Sequence, residues 1–299
     1  MYLSEAIDEF LLEQRVRGNS AATLSYYSSV LGYFRDFVGE VFVADITLVD
    51  CRQYYLYLSD ELDNTVSIQT YIRGLRSFLN WCYSSEYIDV DICDKFKLPK
   101  ATRKVIDVLT DSEISRLFDV NSGGDWLSAR NRLIIALMLD SGLRLHEVVT
   151  LSRTHVHADD GYLIVIQGKG DKQRAVPIGS VTRRFLAEYL NLLPLDPRHD
   201  SLLLKISDVR YGLDPITDNT IKQLFRKLKD RTGIRRLYPH LLRHTFATRY
   251  LENGGNIYSL QQILGHSSLE MVKRYLHLAT TRIRTDFGKF SPLDNLQLK

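Results

Sequence analysis

His240, Arg243 and His244 stand within one short stretch, His266 follows, and Tyr275 closes the series nine residues further on. Positions three and four apart on a helix share a face, so His240 and Arg243 are expected to project together. No common packing need in a core calls for His240, Arg243, His266 and Tyr275 in that order. Such groups suit a phosphate diester, with cationic donors for its oxygens and a nucleophile for its phosphorus.

Two more stretches add cations. Arg144 follows Gly142, where a predicted buried helix ends and another begins, so backbone and side chain there can both face a ligand. Lys169 lies between Gly168 and Gly170 at a predicted hairpin tip. Flanking glycines let backbone approach a ligand closely and place a mobile ammonium beside it. Lys172 and Arg174 extend that charge, which makes the hairpin a candidate DNA-reaching element. Taken singly, each has a plainer reading as a surface arginine or a solvated tip. His240 and His244 also have the i, i+4 spacing of helical zinc sites. Leu241 stands where the metalloprotease pattern needs Glu, and no carboxylate or Cys cluster completes a ligand set. No metal is expected, and His244 is expected to pack or to make a structural hydrogen bond.

The elements that must position these groups follow from periodicity. Four amphipathic helices fill the first hundred residues. They run over about 3–17, then behind Ser20, after Thr47 and after Asn64, with Leu24, Tyr27, Val30, Leu31 and Phe34 typical of the apolar stripes. Such stripes predict one helical-bundle core. The pattern dissolves into Lys97, Pro99, Lys100, Arg103 and Lys104, a basic interdomain linker. We therefore divide the chain into residues 1–98, a linker over 99–107, and a second domain over 108–299. The second domain opens with a helix behind Thr110, which has capping-box spacing to Glu113. Residues 162–166 and 174–178 give the one clear β signal, a hairpin. Segments 181–193, 217–231, 239–253, 256–265 and 268–278 read as helices.

Bulk composition agrees with a globular protein of about two domains. Of 299 residues 44% are apolar and 25% charged, and no stretch nears the roughly 18 apolar residues that span a bilayer. The N-terminus lacks a basic region followed by an apolar one, so export is not expected. Cys51, Cys82 and Cys93 read as buried thiols of a reducing cytoplasm. The formal charge of +3 conceals an asymmetry. Residues 1–100 hold 9 Lys/Arg against 15 Asp/Glu, whereas residues 101–299 hold 30 against 21. The second half is the better match for a polyanion. Lys222, Arg226 and Lys229 form a basic stripe on one predicted helix, and Arg73 with Arg76 a smaller patch on another.

Taken together, Ser141-Gly142-Leu143-Arg144-Leu145-His146-Glu147, Gly168-Lys169-Gly170, His240-Leu241-Leu242-Arg243-His244, Leu264-Gly265-His266 and Tyr275 resemble the tyrosine recombinase (phage integrase) family, especially its small two-domain Xer-like members. The boxes fall in the family's order and approximate spacing, and the resemblance spans nearly the whole chain. Ser141 replaces a usual Thr, while Met271, Val272 and Leu276 depart from the family pattern around the tyrosine. The resemblance implies a mainly α fold: a four-helix SAM-like core-binding domain, then a mostly helical catalytic domain with a small β-hairpin or sheet. It implies that Tyr275 forms a 3′-phosphotyrosyl link, that Arg144 and Arg243 hold the non-bridging oxygens, and that Lys169 protonates the leaving oxygen. His240 would accept the tyrosine proton or orient the phosphate, and His266 would donate to a phosphate oxygen. Neither cofactor nor metal is implied.

The implied partner is double-stranded DNA with paired half-sites, bound by a homotetramer or by a hetero-oligomer with a paralogue, in the cytoplasm at the nucleoid. The tail from Arg282 to Lys299 is expected to dock onto a neighbouring subunit. Three other readings remain open at this point: a type IB-like topoisomerase, a non-catalytic DNA-binding accessory protein, and a metal-dependent hydrolase using His240 and His244.

Overall fold

The computed structural model describes residues 1–97, 107–167, 172–194, 199–207, 212–266, 268, 269, 272 and 275. The chain divides into two compact units, Met1–Lys104 and Val105–Lys299. The linker expected over 99–107 lies outside the described residues except for Asp107.

The first unit is built from α1 (Leu3–Val16), α2 (Ala21–Val38), α3 (Leu48–Glu61), α4 (Thr65–Ser84) and a one-turn α5 (Ile92–Lys95). Its helix starts are those read from the sequence. The Ser20 hydroxyl accepts the Thr23 N–H, Thr47 and Asp50 form a capping box, and Asn64 Oδ1 accepts the Val66 N–H at 3.0 Å. Each such cap contributes about 1 kcal/mol to its helix. The inward stripes meet in one core that includes Phe10, Leu31, Phe34, Tyr54, Ile72, Leu75 and Phe78. Phe10 sets its ring edge-on against Tyr27, Phe78 and Trp81, the arrangement aromatic quadrupoles favour. The three cysteines are free and buried. Burial pushes the thiols of Cys51 and Cys82 up to about 12, which leaves them inert.

The second unit begins with α6 (Asp111–Asp119), capped by Thr110 and Glu113 as the spacing predicts. There follow α7 (Trp126–Asp140), α8 (Leu145–Val149), β1 (Val156–His157), β2 (Tyr162–Gln167), β3 (Lys172–Pro177) and α9 (Ser180–Leu192). The chain continues through β4 (Leu204–Ile206), β5 (Leu213–Pro215), α10 (Asp218–Thr232), α11 (Pro239–Glu252) and α12 (Ile257–Leu264). Strands β1, β2 and β3 form an antiparallel sheet in that order, with Val165 opposite Arg174 and Gln167 opposite Lys172. Helix α7 is buried over most of Ala129–Met138, and Leu133, Ile135, Leu137 and Met138 belong to this unit's core. β4 and β5 lie between the segments read as helices at 181–193 and 217–231, and add strands beyond the one hairpin that the sequence signals. Strands of three residues are too short to show a period, so apolar alternation could not reveal them. The helix expected over 268–278 falls largely outside the described residues. No described helix is long and apolar enough to cross a membrane.

Candidate active site

The site starts where α7 stops. Gly142 takes φ +64°, a left-handed conformation, and a Cβ there would run into the Phe246 ring. Only glycine meets both demands. The turn brings the Gly142 carbonyl toward α11 and delivers Arg144 to the head of α8. The Glu147 carboxylate caps this helix start by accepting two hydrogen bonds from Arg144. The Arg144 backbone N–H donates to Glu147 Oε2 at 2.8 Å, and Arg144 Nη1 donates to Oε1 at 2.8 Å. The Arg144 side chain stays 35% exposed, more open than those of Arg174 and Arg243.

Helix α11 begins with Pro239, whose missing N–H is no loss at a first turn. One turn on, Arg243 is buried. Its Nη1 donates to the Gly142 carbonyl at 2.5 Å and its Nη2 to the Leu264 carbonyl at 2.7 Å. Nη2 also lies 3.0 Å from His266 Nε2. A guanidinium only donates, so Nε2 accepts and the proton of a neutral ring sits on Nδ1. Burial, and then the nearby Arg144 charge, pull the Arg243 pKa down to about 9, which still leaves it cationic at neutral pH.

Helix α12 ends in Gly265 at φ +61°. Its last carbonyls have no partner within the helix and form the negative pole of its dipole. Three arginines use them in succession. Arg174 Nε donates to the Ile263 carbonyl at 2.8 Å, Arg243 Nη2 to Leu264, and Arg144 Nη2 to Gly265 at 3.4 Å. Like charges this close repel unless something negative lies among them. The helix end supplies part of that, and Glu147 supplies the rest. Burial pushes the Glu147 carboxyl up, but hydrogen bonds and charge from Arg174, then Arg144, outweigh it and hold the group at about 2. It is therefore a carboxylate at any ordinary pH.

Tyr275 is buried, and its hydroxyl lies 2.7 Å from His244 Nδ1. His244 stands beside the exposed His240, ring centroids 5.9 Å apart. The sequence expectation gave the phenol's proton to His240 and a structural role to His244; the structure sets His244 against the hydroxyl. Among the described residues, no three His, Cys, Asp or Glu side chains are grouped so as to hold a metal.

The structure thus brings Arg144, Arg243 and His266 to one point, with Tyr275 hydrogen-bonded to the helix that carries Arg243. Lys169 lies outside the described residues, and for Lys172 only the strand register is described. Arg174 is a correction: expected to reach for DNA, it is 9% exposed and bound to Glu147 and α12. Its alternation with Val176 in β3, continued by Ile178 just beyond the strand, was the signal that it faces inward. On α10, Lys222 and Arg226 are exposed and Lys229 is half-buried. Arg73 is exposed and bonded to Gln69, while Arg76 is half-buried and donates to the Cys93 carbonyl at 2.8 Å. The residues to which sequence reasoning gave no part in the site are Glu147 and His244. Glu147 lies at the third position after Arg144, the spacing of a capping box, and was legible there.

The phage integrase family model matches residues 107–282, and the phage integrase SAM-like domain model matches residues 2–98. A tyrosine recombinase XerD of Oceanobacillus iheyensis is 29% identical over 97% of this chain and 99% of its own. Among solved structures, the Tn1549 transposon integrase in complex with a circular intermediate DNA aligns with a TM-score of 0.77 at 18% identity, over 95% of this chain and 99% of that one. A lambda integrase tetramer bound to a Holliday junction aligns with a TM-score of 0.71 at 20% identity, over 90% of this chain and 78% of that one. The mainly helical architecture with its small antiparallel sheets is the fold of those proteins. Matched in both of its units, the chain belongs to the phage integrase family.

Proposed function

We propose that this site-specific recombinase cuts and rejoins DNA with Tyr275 as its nucleophile. The observation that carries the reading is the convergence of Arg144, Arg243 and His266 at the end of α12, with the Tyr275 hydroxyl held on α11 by His244. The Tyr275 oxygen attacks a backbone phosphorus, a 3′-phosphotyrosyl bond forms and the bond to the 5′ oxygen breaks. Covalent catalysis of this type divides one hard step into two easier ones. The phosphotyrosine conserves the energy of the broken link, so a 5′-hydroxyl of another strand can reverse the step without ATP.

Arg144 and Arg243 hold the non-bridging oxygens, where charge grows in the five-coordinate transition state. Planar forks suit that task better than an ammonium. His244, in contact with the phenol, takes its proton, alone or relayed through His240, and His266 donates to a phosphate oxygen. Lys169 protonates the departing 5′ oxygen. Tyr275 is buried against His244, so attack also requires the phenol oxygen, once its proton has passed to His244, to come into reach of the phosphate.

Residues 1–98 serve as the core-DNA-binding domain, 99–107 as the linker and 108–299 as the catalytic domain with its docking tail. Duplex DNA with paired half-sites is the substrate. Lys222, Arg226 and Lys229, with Arg73, contact its phosphates. Exchange between two duplexes needs four cuts, which calls for a homotetramer, or a hetero-oligomer with a paralogue, acting at the nucleoid in the cytoplasm. Deleting residues 284–299 then impairs assembly on paired sites more than binding to one site. No observation favours a topoisomerase, an accessory protein or a metal-dependent hydrolase. The test is incubation with a nicked candidate site: a denaturation-resistant protein–DNA adduct forms, and Tyr275→Phe abolishes it. A DNA-binding protein that makes no adduct on any nicked site overturns the reading.

A further inference from the structure

Arg174 lies beside Arg144 and Arg243 yet is nearly withdrawn from solvent. Its Nη1 and Nη2 donate side by side to the two oxygens of Glu147, each at 2.9 Å, and its Nε donates to the Ile263 carbonyl. Both side chains of the pair are 9% exposed. A two-pronged guanidinium–carboxylate contact fixes angle as well as distance. β3 holds the arginine from behind, opposite Val165 and on the inward face shared with Val176.

What this contact does follows from what else Glu147 touches. The carboxylate receives only one side-chain nitrogen of Arg144 within hydrogen-bond range, and Arg243 Nη1 stays 3.9 Å away. A buried carboxylate with too few donors would draw the nearest cations onto itself, because a half-paired buried charge costs several kcal/mol. Arg174 removes that demand. By saturating Glu147 it leaves Arg144 and Arg243 charge to spare for a ligand. Through the Ile263 carbonyl it also steadies the helix end whose next carbonyl holds Arg243.

We propose that Arg174 is a positioning residue for phosphoryl transfer, acting through Glu147 and the end of α12 and making no contact with DNA. The inference rests on the reading of Arg144 and Arg243 as the groups that grip the scissile phosphate. Its test compares Arg174→Met, which removes charge and fork, with Arg174→Lys, which keeps the charge alone. Three quantities are read: DNA affinity with its salt dependence, single-turnover adduct formation on a nicked duplex, and the same on a duplex with a methylphosphonate at the scissile position. The methylphosphonate lacks one charged oxygen and asks less of the cage.

For Arg174→Met the affinity and its salt slope stay at the wild-type value, while adduct formation on the phosphodiester falls about 100-fold, the usual loss when a transition-state donor is displaced. Arg174→Lys recovers part of that loss. On the methylphosphonate the gap to wild type narrows to about tenfold or less, since less charge awaits stabilisation. A general disturbance of the fold would slow both substrates equally, and that result overturns the proposal. So does a salt slope made shallower by about one phosphate contact, roughly 0.9, which would place Arg174 on DNA. Unchanged cleavage in both variants overturns it as well. If Arg174→Met does not fold, Arg174→Lys decides on the same readouts. Wild-type protein and Tyr275→Phe run alongside, so absence of any wild-type adduct sinks the functional reading, while normal cleavage by the variants sinks this inference alone.

Discussion

The two units bury different things. Among the described residues of the first, every Asp, Glu, Lys and Arg keeps some contact with solvent, and the buried polar side chains are Gln14 and Gln69. The second buries Glu113, Arg130, Arg132, Glu147 and Arg243. Charge taken from water costs several kcal/mol unless it is fully paired, and apolar residues of the same shape would often serve stability better. Two of these five tie chain segments together: Arg130 reaches the Leu204 carbonyl, and Arg132 the carbonyls of Asn121 and Gly123. Glu147 and Arg243 do something else, since they converge with Arg144 and Arg174 on one helix end. The first unit is therefore stabilised like an ordinary apolar bundle. In the second, buried charges hold chain segments together and, at Glu147 and Arg243, set a dry, fixed group of cations around one carboxylate.

Four measurements bear on that contrast. Arg243→Ala should produce the largest change. It leaves the carbonyls of Gly142 and Leu264 without this donor and removes a cage cation. Adduct formation should fall by about 10²–10³ or more, and the second unit should lose about 3–5 kcal/mol. Single-turnover cleavage and urea unfolding measure both. The matching change in the first unit is Phe78→Ala, in the centre of its core. It should cost that unit about 3–5 kcal/mol while leaving the cleavage rate per folded, DNA-saturated molecule unchanged. A cleavage defect as large as that of Arg243→Ala would erase the distinction between the units.

Acid should separate them next. Hydrogen bonds from Arg236 hold Glu113 at about 2, and Glu147 is also held at about 2, both below the ordinary 4.5. Their folded values are depressed, so the stability they contribute is complete above about pH 4.5 and drains away as pH falls toward 2. The chain has one tryptophan in each unit, Trp81 and Trp126. Single-tryptophan variants let urea unfolding at each pH be followed unit by unit, and the Trp126 transition should weaken first. The smallest effect belongs to the surface: Lys222→Ala or Arg226→Ala should each lower the salt slope of DNA binding by about 0.9, with the cleavage rate at saturating DNA unaltered.

How much of this the sequence discloses depends on whether the cause is local. Caps at Ser20, Thr47, Asn64 and Thr110 are set by neighbours in the chain, and the helices they start were legible. β4 and β5 were not, because three residues each leave no pattern to read. The order of Arg144, Arg243, His266 and Tyr275 pointed to one site through resemblance. Their spacing in space depends on Gly142 and on the α12 terminus, neither of which advertises its partners. Arg174 was misread because a cation near a glycine-rich turn looks solvated, although its period with Val176 and Ile178 placed it inside. His244 and Tyr275 meet across 31 residues, a contact no local rule supplies.

One phenol among 17 tyrosines is proposed as the attacking group. The direct measurement is to trap the covalent product on a nicked site, digest protein and DNA, and locate the nucleotide-bearing peptide by mass spectrometry. A nucleotide joined through its 3′-phosphate to Tyr275, and to no other residue, is expected. A nucleotide carried by a different side chain, or an adduct that persists in Tyr275→Phe, would contradict it.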